Sequence, residues 1–212
     1  MIQNIVFDMG GVIVEFNPRA VLASYLDSRE DIEYLYQEVF KSTEWVEMDK
    51  GTLTAEQAAR RILSRLRAEY HPLAERLIMR WFLEMPPKPD MEQLVRELKR
   101  EGYRIYLLSN TSRDFYAFKD SVPAFGCFDG FVISADHFAI KPDPSLYKIL
   151  FSRFGLPPED CFFVDDSPAN VETGASFGMK THCFADGDIS ALRRAMRSYR
   201  IKVKPPAIPS QG

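Results

Sequence analysis

The stretch Ile2-Gln3-Asn4-Ile5-Val6-Phe7-Asp8-Met9-Gly10-Gly11 decides the fold. A short apolar run that ends in an acid and then two glycines predicts a buried strand delivering Asp8 to a tight turn at its carboxyl edge. Far along the chain the pattern returns: Cys161-Phe162-Phe163-Val164 ends in Asp165-Asp166, then Ser167-Pro168. Two strands that finish in acid at one sheet edge bring like charges together, which is unfavourable unless a cation lies between them. Asp8, Asp165 and Asp166 therefore read as a site for a hard divalent metal.

Between these two strands the chain changes character twice. From about residue 90 onward helices and strands alternate. Asp90 can cap a helix carrying Met91, Leu94, Val95 and Leu98, stopped by Gly102. Strands are expected over 103–108, 130–133, 161–164 and 180–184. Further helices are expected after Ser109-Asn110-Thr111, after Asp143-Pro144, after Ser167-Pro168 and over 189–199. Strands alternating with helices of this length imply parallel pairing through crossovers, hence an α/β, Rossmann-like, doubly wound sheet. Ligands of such sheets bind beyond the carboxyl ends of the strands, where Asp8, Ser109 and Asp165-Asp166 all fall.

Residues 16–85 differ, keeping helical apolar spacing with no convincing strand. They are expected to form an inserted helical cap domain, with residues 1–15 and 86–201 as the core. Pro86-Pro87-Lys88-Pro89 reads as a stiff return linker, and residues 202–212, rich in proline, as an unordered tail.

The 212-residue chain is long enough for a sizeable core, and 46% hydrophobic with 27% charged residues is ordinary globular composition. A net charge of −3 with both signs scattered argues against nucleic acid or an anionic membrane as partner. No stretch is apolar enough to span a bilayer, and no charged leader precedes the first strand, so a cytoplasmic location is expected. Cys127, Cys161 and Cys183 lack the spacing of a disulfide framework or a zinc site; Cys161 and Cys183 sit in apolar runs and read as inert, buried thiols. Oligomeric state is open, a monomer included.

Four stations carry the chemistry in chain order: Asp8, Ser109 with Asn110, Lys141 before Pro142, and Asp165-Asp166. A phosphate monoester is a dianion, so a carboxylate nucleophile cannot approach it unaided. Magnesium shared by acids from both ends of the chain relieves that repulsion, and the Ser109 hydroxyl and Lys141 ammonium would orient phosphoryl oxygens. Asp8 could then attack phosphorus to give an aspartyl-phosphate.

This set resembles the haloacid dehalogenase superfamily, over about the whole chain: Phe7-Asp8-Met9-Gly10-Gly11-Val12, Leu108-Ser109-Asn110, Lys141-Pro142 and Val164-Asp165-Asp166. The resemblance implies a phosphomonoester hydrolase with a small C1-type helical cap. It implies Asp8 as nucleophile and Asp8, the Gly10 carbonyl and Asp166 as magnesium ligands, with Asp165 assisting. Trp45, Asp49 and Gly51 look like the cap pattern of alpha-glucose-1-phosphatase-like sugar phosphatases, which favours a sugar phosphate as the small-molecule substrate. Phe16 and Trp45 are expected to line the pocket. One departure stands out: most phosphatases of the superfamily place a second Asp two residues after the nucleophile as general acid, and here that position is Gly10. Either the leaving group is good enough to need no proton, or the cap supplies one through Glu44, Glu47 or Asp49.

Two other functions compete. A dehalogenase would have Asp8 attack carbon without a metal, but it has no use for the distal aspartates. A non-catalytic phosphate-binding or regulatory protein would explain Gly10 as decay of the site, but decay would not spare Asp8, Ser109, Lys141 and Asp166 together.

Overall fold

The computed structural model describes residues 1–205 of the chain. Five parallel strands form one sheet in the order β3-β2-β1-β4-β5: β1 Asn4–Phe7, β2 Arg104–Ser109, β3 Gly130–Ile133, β4 Cys161–Asp165 and β5 Lys180–Cys183. Reversal of strand order on either side of β1 makes the sheet doubly wound and puts the central crevice at Asp8.

Alternation along the central strands builds two separate cores. Ile5, Phe7, Ile105, Leu107, Phe162 and Val164 pack on one face, which the cap residues also join. Val6, Tyr106, Leu108 and Phe163 pack on the other, against Leu146, Tyr147 and Leu150 of the helix Pro144–Phe154. Both faces of the sheet are therefore covered, which is why its strands read as unbroken apolar runs rather than alternating ones.

Five helices, α1 Pro18–Ala23, α2 Arg29–Leu35, α3 Thr43–Lys50, α4 Ala55–Leu63 and α5 His71–Arg80, follow β1 as the inserted block. The core helices are α6 Pro89–Arg100, α7 Phe115–Phe118, α8 Pro144–Phe154, α9 Pro168–Ser176 and α10 Ile189–Ser198. Helix α6 starts one residue earlier than the sequence suggested. Pro89 occupies its first turn, where a missing N–H costs nothing, so Asp90 lies inside the helix instead of capping it.

The two chain crossings into and out of the cap lie side by side. Glu15 N donates to Pro86 O at 2.9 Å, Lys88 N to Ile13 O at 2.9 Å, and Lys88 Nζ to Gly11 O at 2.8 Å. The return linker thus braces the turn that carries Asp8. A second seam joins the end of α3 to the core. Gly51 has φ +78°, and a Cβ there would lie 2.1 Å from Ala135 O, so only glycine permits this approach. Beside it, Ser134 Oγ donates to Asp49 O at 2.5 Å and accepts from Thr111 N at 2.8 Å.

The expected unordered tail begins at 202, but Lys202 N donates to the Tyr103 hydroxyl at 2.9 Å and Lys204 N to Glu97. That segment is tied down because the buried Glu97–Arg193 pair, 2.9 Å apart, also engages the Lys204 carbonyl. Residues 206–212 of the expected tail lie outside the described residues.

Candidate active site

Parallel register sets the floor of the cleft. Phe7 pairs with Val164 on one side and with Leu107 on the other, so Asp8 and Asp165 leave neighbouring strands at one level. Asp8 N donates to Val164 O at 2.9 Å, which holds the end of β1 against β4. The turn that follows is closed by Ile13 N and Val14 N on Met9 O, at 2.8 and 3.0 Å.

Lys141 lies between the acids. Its Nζ is 2.8 Å from Asp8 Oδ1 and 2.6 Å from Asp165 Oδ2, with the lysine only 3% exposed. Burial by itself would lower its pKa; Asp8 and Asp165 overcome that and raise it, so the ammonium stays charged. An ammonium has three donors, so one N–H remains for a further acceptor. The Lys141 backbone is clamped in turn by Asn110, whose Oδ1 accepts from Lys141 N at 2.7 Å and whose Nδ2 donates to Lys141 O at 3.0 Å.

Asp165 is engaged from behind the cleft. It is fully buried; Oδ2 takes Lys141, while Oδ1 accepts from Ser167 N and from Asn170 Nδ2, both at 2.9 Å. It anchors the lysine, and of the three acids only Asp8 and Asp166 line the cleft.

Oxygens of Asp8, Asp165 and Asp166 nevertheless lie within 4.8 Å of one another. One ammonium against three carboxylates leaves an excess of two negative charges, the amount a divalent cation neutralises. Burial pushes the Asp8 carboxyl up to about 7, against the pull of Lys141 and with Asp165 and Asp166 adding to the rise. Asp166 is raised by burial and by Asp165. Acids crowded in this way gain from a neighbouring cation. The turn also leaves room for them: Gly11 has φ +73°, and a Cβ there would lie 2.3 Å from Asp166 Oδ2. The residues present therefore fit magnesium, with the Gly10 carbonyl bordering the same cleft.

The cleft encloses about 490 Å³ between core and cap. Phe16 and Trp45 line it as expected, as do Asn110 and Lys141. Ser109 does not: it is 1% exposed at the end of β2, and the wall begins with Asn110, Thr111 and Ser112. Of the three cap acids considered as proton donors, Glu44 is bound by Arg65 at 2.8 Å and Glu47 by Arg61 at 3.2 Å. Only Asp49 opens on the cleft, and burial together with the Asp8 charge pushes its carboxyl up to about 7. A signal for it existed, because Trp45, Met48 and Asp49 follow the i, i+3, i+4 rule and all three line the cleft. Lys41 and Asp114 also border it and had no distinguishing pattern. Cys161 is buried as expected, its thiol pushed up to about 12 by burial, while Cys127 and Cys183 are partly exposed.

These raised carboxyls give the metal-free protein a defined pH response. Folded Asp8 and Asp49 hold protons up to about pH 7 that the unfolded chain releases near pH 4, so each contributes stability at low pH that is lost as pH rises through about 7. Melting of the EDTA-treated protein is expected to fall across that window, and an Asp8→Asn/Asp49→Asn variant to lose most of the fall. Magnesium is expected to raise the melting temperature more at about pH 8 than at about pH 5, because binding requires ionised carboxylates. A flat wild-type profile that matches the variant's would contradict this.

The profile of the haloacid dehalogenase-like hydrolases matches residues 2–178, and the chain belongs to that family: it is a hydrolase. Among curated relatives it is similar to a sesquiterpene phosphatase, astK, of Aspergillus oryzae, 25% identical over 82% of this chain and 85% of that one. It is similar also to a D-ribitol-5-phosphate phosphatase of Bacteroides thetaiotaomicron, 26% identical over 85% of this chain and 91% of the relative. Its fold is shared with a family enzyme of the same bacterium solved as a magnesium complex, with TM-score 0.68, 24% identity, and 91% and 98% of the two chains covered. Among the described residues no helix is long and apolar enough to cross a membrane.

Proposed function

We propose that this hydrolase cleaves small-molecule phosphate monoesters through an aspartyl-phosphate on Asp8. The observation that carries the reading is the buried Lys141 paired to Asp8 and Asp165, with Asp166 opening on the same cleft. Likeness to two named phosphatases supports it.

Asp8, Asp166 and the Gly10 carbonyl would hold magnesium, which when bound offsets the repulsion between a carboxylate and a dianionic ester. Lys141 orients Asp8 through one N–H and keeps another for a phosphoryl oxygen. Ser109, one residue past the level of Asp8 on the adjoining strand, is buried behind the cleft wall, so the phosphoryl-binding part expected of it passes to the lining residues Thr111 and Ser112. Asp8 attacks phosphorus and the P–O bond to the alcohol breaks. Asp49, protonated, gives its proton to the departing oxygen, and as carboxylate then takes one from the water that hydrolyses the acyl phosphate.

A magnesium-dependent screen of phosphate esters tests the overall reading; absence of any Asp8-dependent release of phosphate would sink it. The part given to Asp49 has its own test. Asp49→Asn is expected to lower kcat by about 10²- to 10⁴-fold for alkyl phosphates, whose leaving oxygen needs a proton. The loss should be far smaller for p-nitrophenyl phosphate, whose leaving group departs as a stable anion. Equal losses on both esters would make Asp49 a structural residue. A Cβ at Gly10 would lie 3.4 Å from Phe16 Cβ, an ordinary contact, so Gly10→Asp is expected to fold and to restore part of the activity that Asp49→Asn loses on alkyl phosphates.

A further inference from the structure

We infer that the alcohol of the natural ester is bulky and carbon-rich, a terpenyl chain or an aryl ring, rather than a sugar or polyol; this rests on the phosphatase reading of the same cleft. The wall opposite the acids is built from the cap residues Phe16, Trp45, Met48, Ile78, Trp81 and Phe82. Rings in that wall fix one another. Trp81 meets Phe16 edge-on at 5.6 Å, Trp45 at 5.9 Å and Phe40 at 4.6 Å, and Phe40 lies 4.7 Å from Trp45. Phe82 stacks on Phe118, another lining residue, at 5.5 Å and 6°. A wall whose rings are locked edge-to-face is a preformed apolar surface.

What the cleft lacks is equally telling. A sugar carries several hydroxyls, each needing a donor or acceptor once water is excluded. From the cap the polar groups are Lys41, Asp49, which already has a task at the reacting bond, and the indole N–H groups of Trp45 and Trp81, which donate but cannot accept. On the core side both ends of the Asn110 amide are occupied by the Lys141 backbone, and Thr111 N by Ser134. Ser112 Oγ is turned to Asp114 Oδ2 at 3.1 Å, which leaves the Thr111 and Ser167 hydroxyls and the second Asp114 oxygen as the core-side groups open to a ligand. Each hydroxyl stripped of water against such a wall weakens binding on the order of 5- to 100-fold. The preference for sugar phosphates that the cap pattern suggested is therefore not the one the cleft wall favours.

The magnesium-loaded enzyme should hydrolyse geranyl phosphate and 1-naphthyl phosphate with kcat/KM about 100-fold or more above glucose 1-phosphate and ribitol 5-phosphate. The ratio between the first two distinguishes a chain from a ring. Calorimetric titration of the same esters into Asp8→Asn protein with magnesium gives a readout that needs no turnover. Tighter binding of the apolar esters without hydrolysis by wild type would uphold this inference and sink the phosphatase reading alone. Equal or tighter binding and turnover of the sugar phosphates would overturn the inference and leave that reading standing. Phe16→Gln, at a half-exposed ring that the core does not need, should narrow the preference about 10-fold, mainly through KM. An unchanged preference in a variant that melts like wild type would also overturn it.

Discussion

Asp8→Asn is expected to lower magnesium-dependent hydrolysis of any phosphate ester by on the order of 10⁴-fold or more, because the nucleophile itself is removed. The fold should survive. Asparagine keeps the size of the side chain and its backbone N–H to Val164 O, and it relieves the like-charge crowding that raises Asp8 to about 7. Lys141 keeps Asp165 as a partner at 2.6 Å. Melting of the metal-free variant at about pH 8 should therefore equal or exceed that of wild type, since the unfavourable buried charge is gone. Acid-quench trapping should find phosphate bound covalently to wild type and none on the variant. Activity within tenfold of wild type, in protein free of deamidation back to aspartate, would remove Asp8 from the chemistry.

Lys141→Met is the second large effect, and it falls on stability as well as on turnover. The substitution leaves Asp8 and Asp165 facing each other in a buried site with no cation between them. Breaking a buried pair by removing one partner typically costs about 3–5 kcal/mol. For a domain of this size that corresponds to a melting temperature lower by roughly 6–20 °C. The deficit should shrink as the pH is lowered through the raised Asp8 pKa, because protonation supplies what the lysine no longer does. Adding Asp165→Asn should recover part of the stability and none of the activity. A single variant as stable as wild type at about pH 8 would mean that the two carboxylates are relieved by something else.

Much of this arrangement was legible in the chain because it is local. Apolar runs closed by acids gave β1 and β4, and the Pro-flanked Lys141 stood at the start of a helix whose cap, Asp143, indeed accepts from Ser145 N at 2.8 Å. What escaped was set by side-chain direction and by distant partners. Asp165 and Asp166 are neighbours of identical chemistry. Asp165, the last residue of β4, falls on the face of Phe163 and Cys161, where Lys141 Nζ arrives 5.7 Å from the Phe163 ring. Asp166, one residue beyond the strand, is released from that alternation. Asn110 lines the cleft, and its amide also holds a backbone 31 residues away, a link that no spacing rule reports. Asn170, the third residue of α9, braces the acidic loop by donating to Asp165 Oδ1 at 2.9 Å.

The Ser134 hydroxyl joins three parts of the molecule at once: the last turn of α3, the segment after β2 and its own position past β3. Its proton has two acceptors within reach, Asp49 O across the seam and Thr111 O at 3.2 Å on the core side, while its oxygen keeps Thr111 N. Were the contact to Asp49 lost, the hydroxyl could turn to Thr111 O and leave no buried group unpaired, so the seam can part without a polar penalty on the side that stays behind.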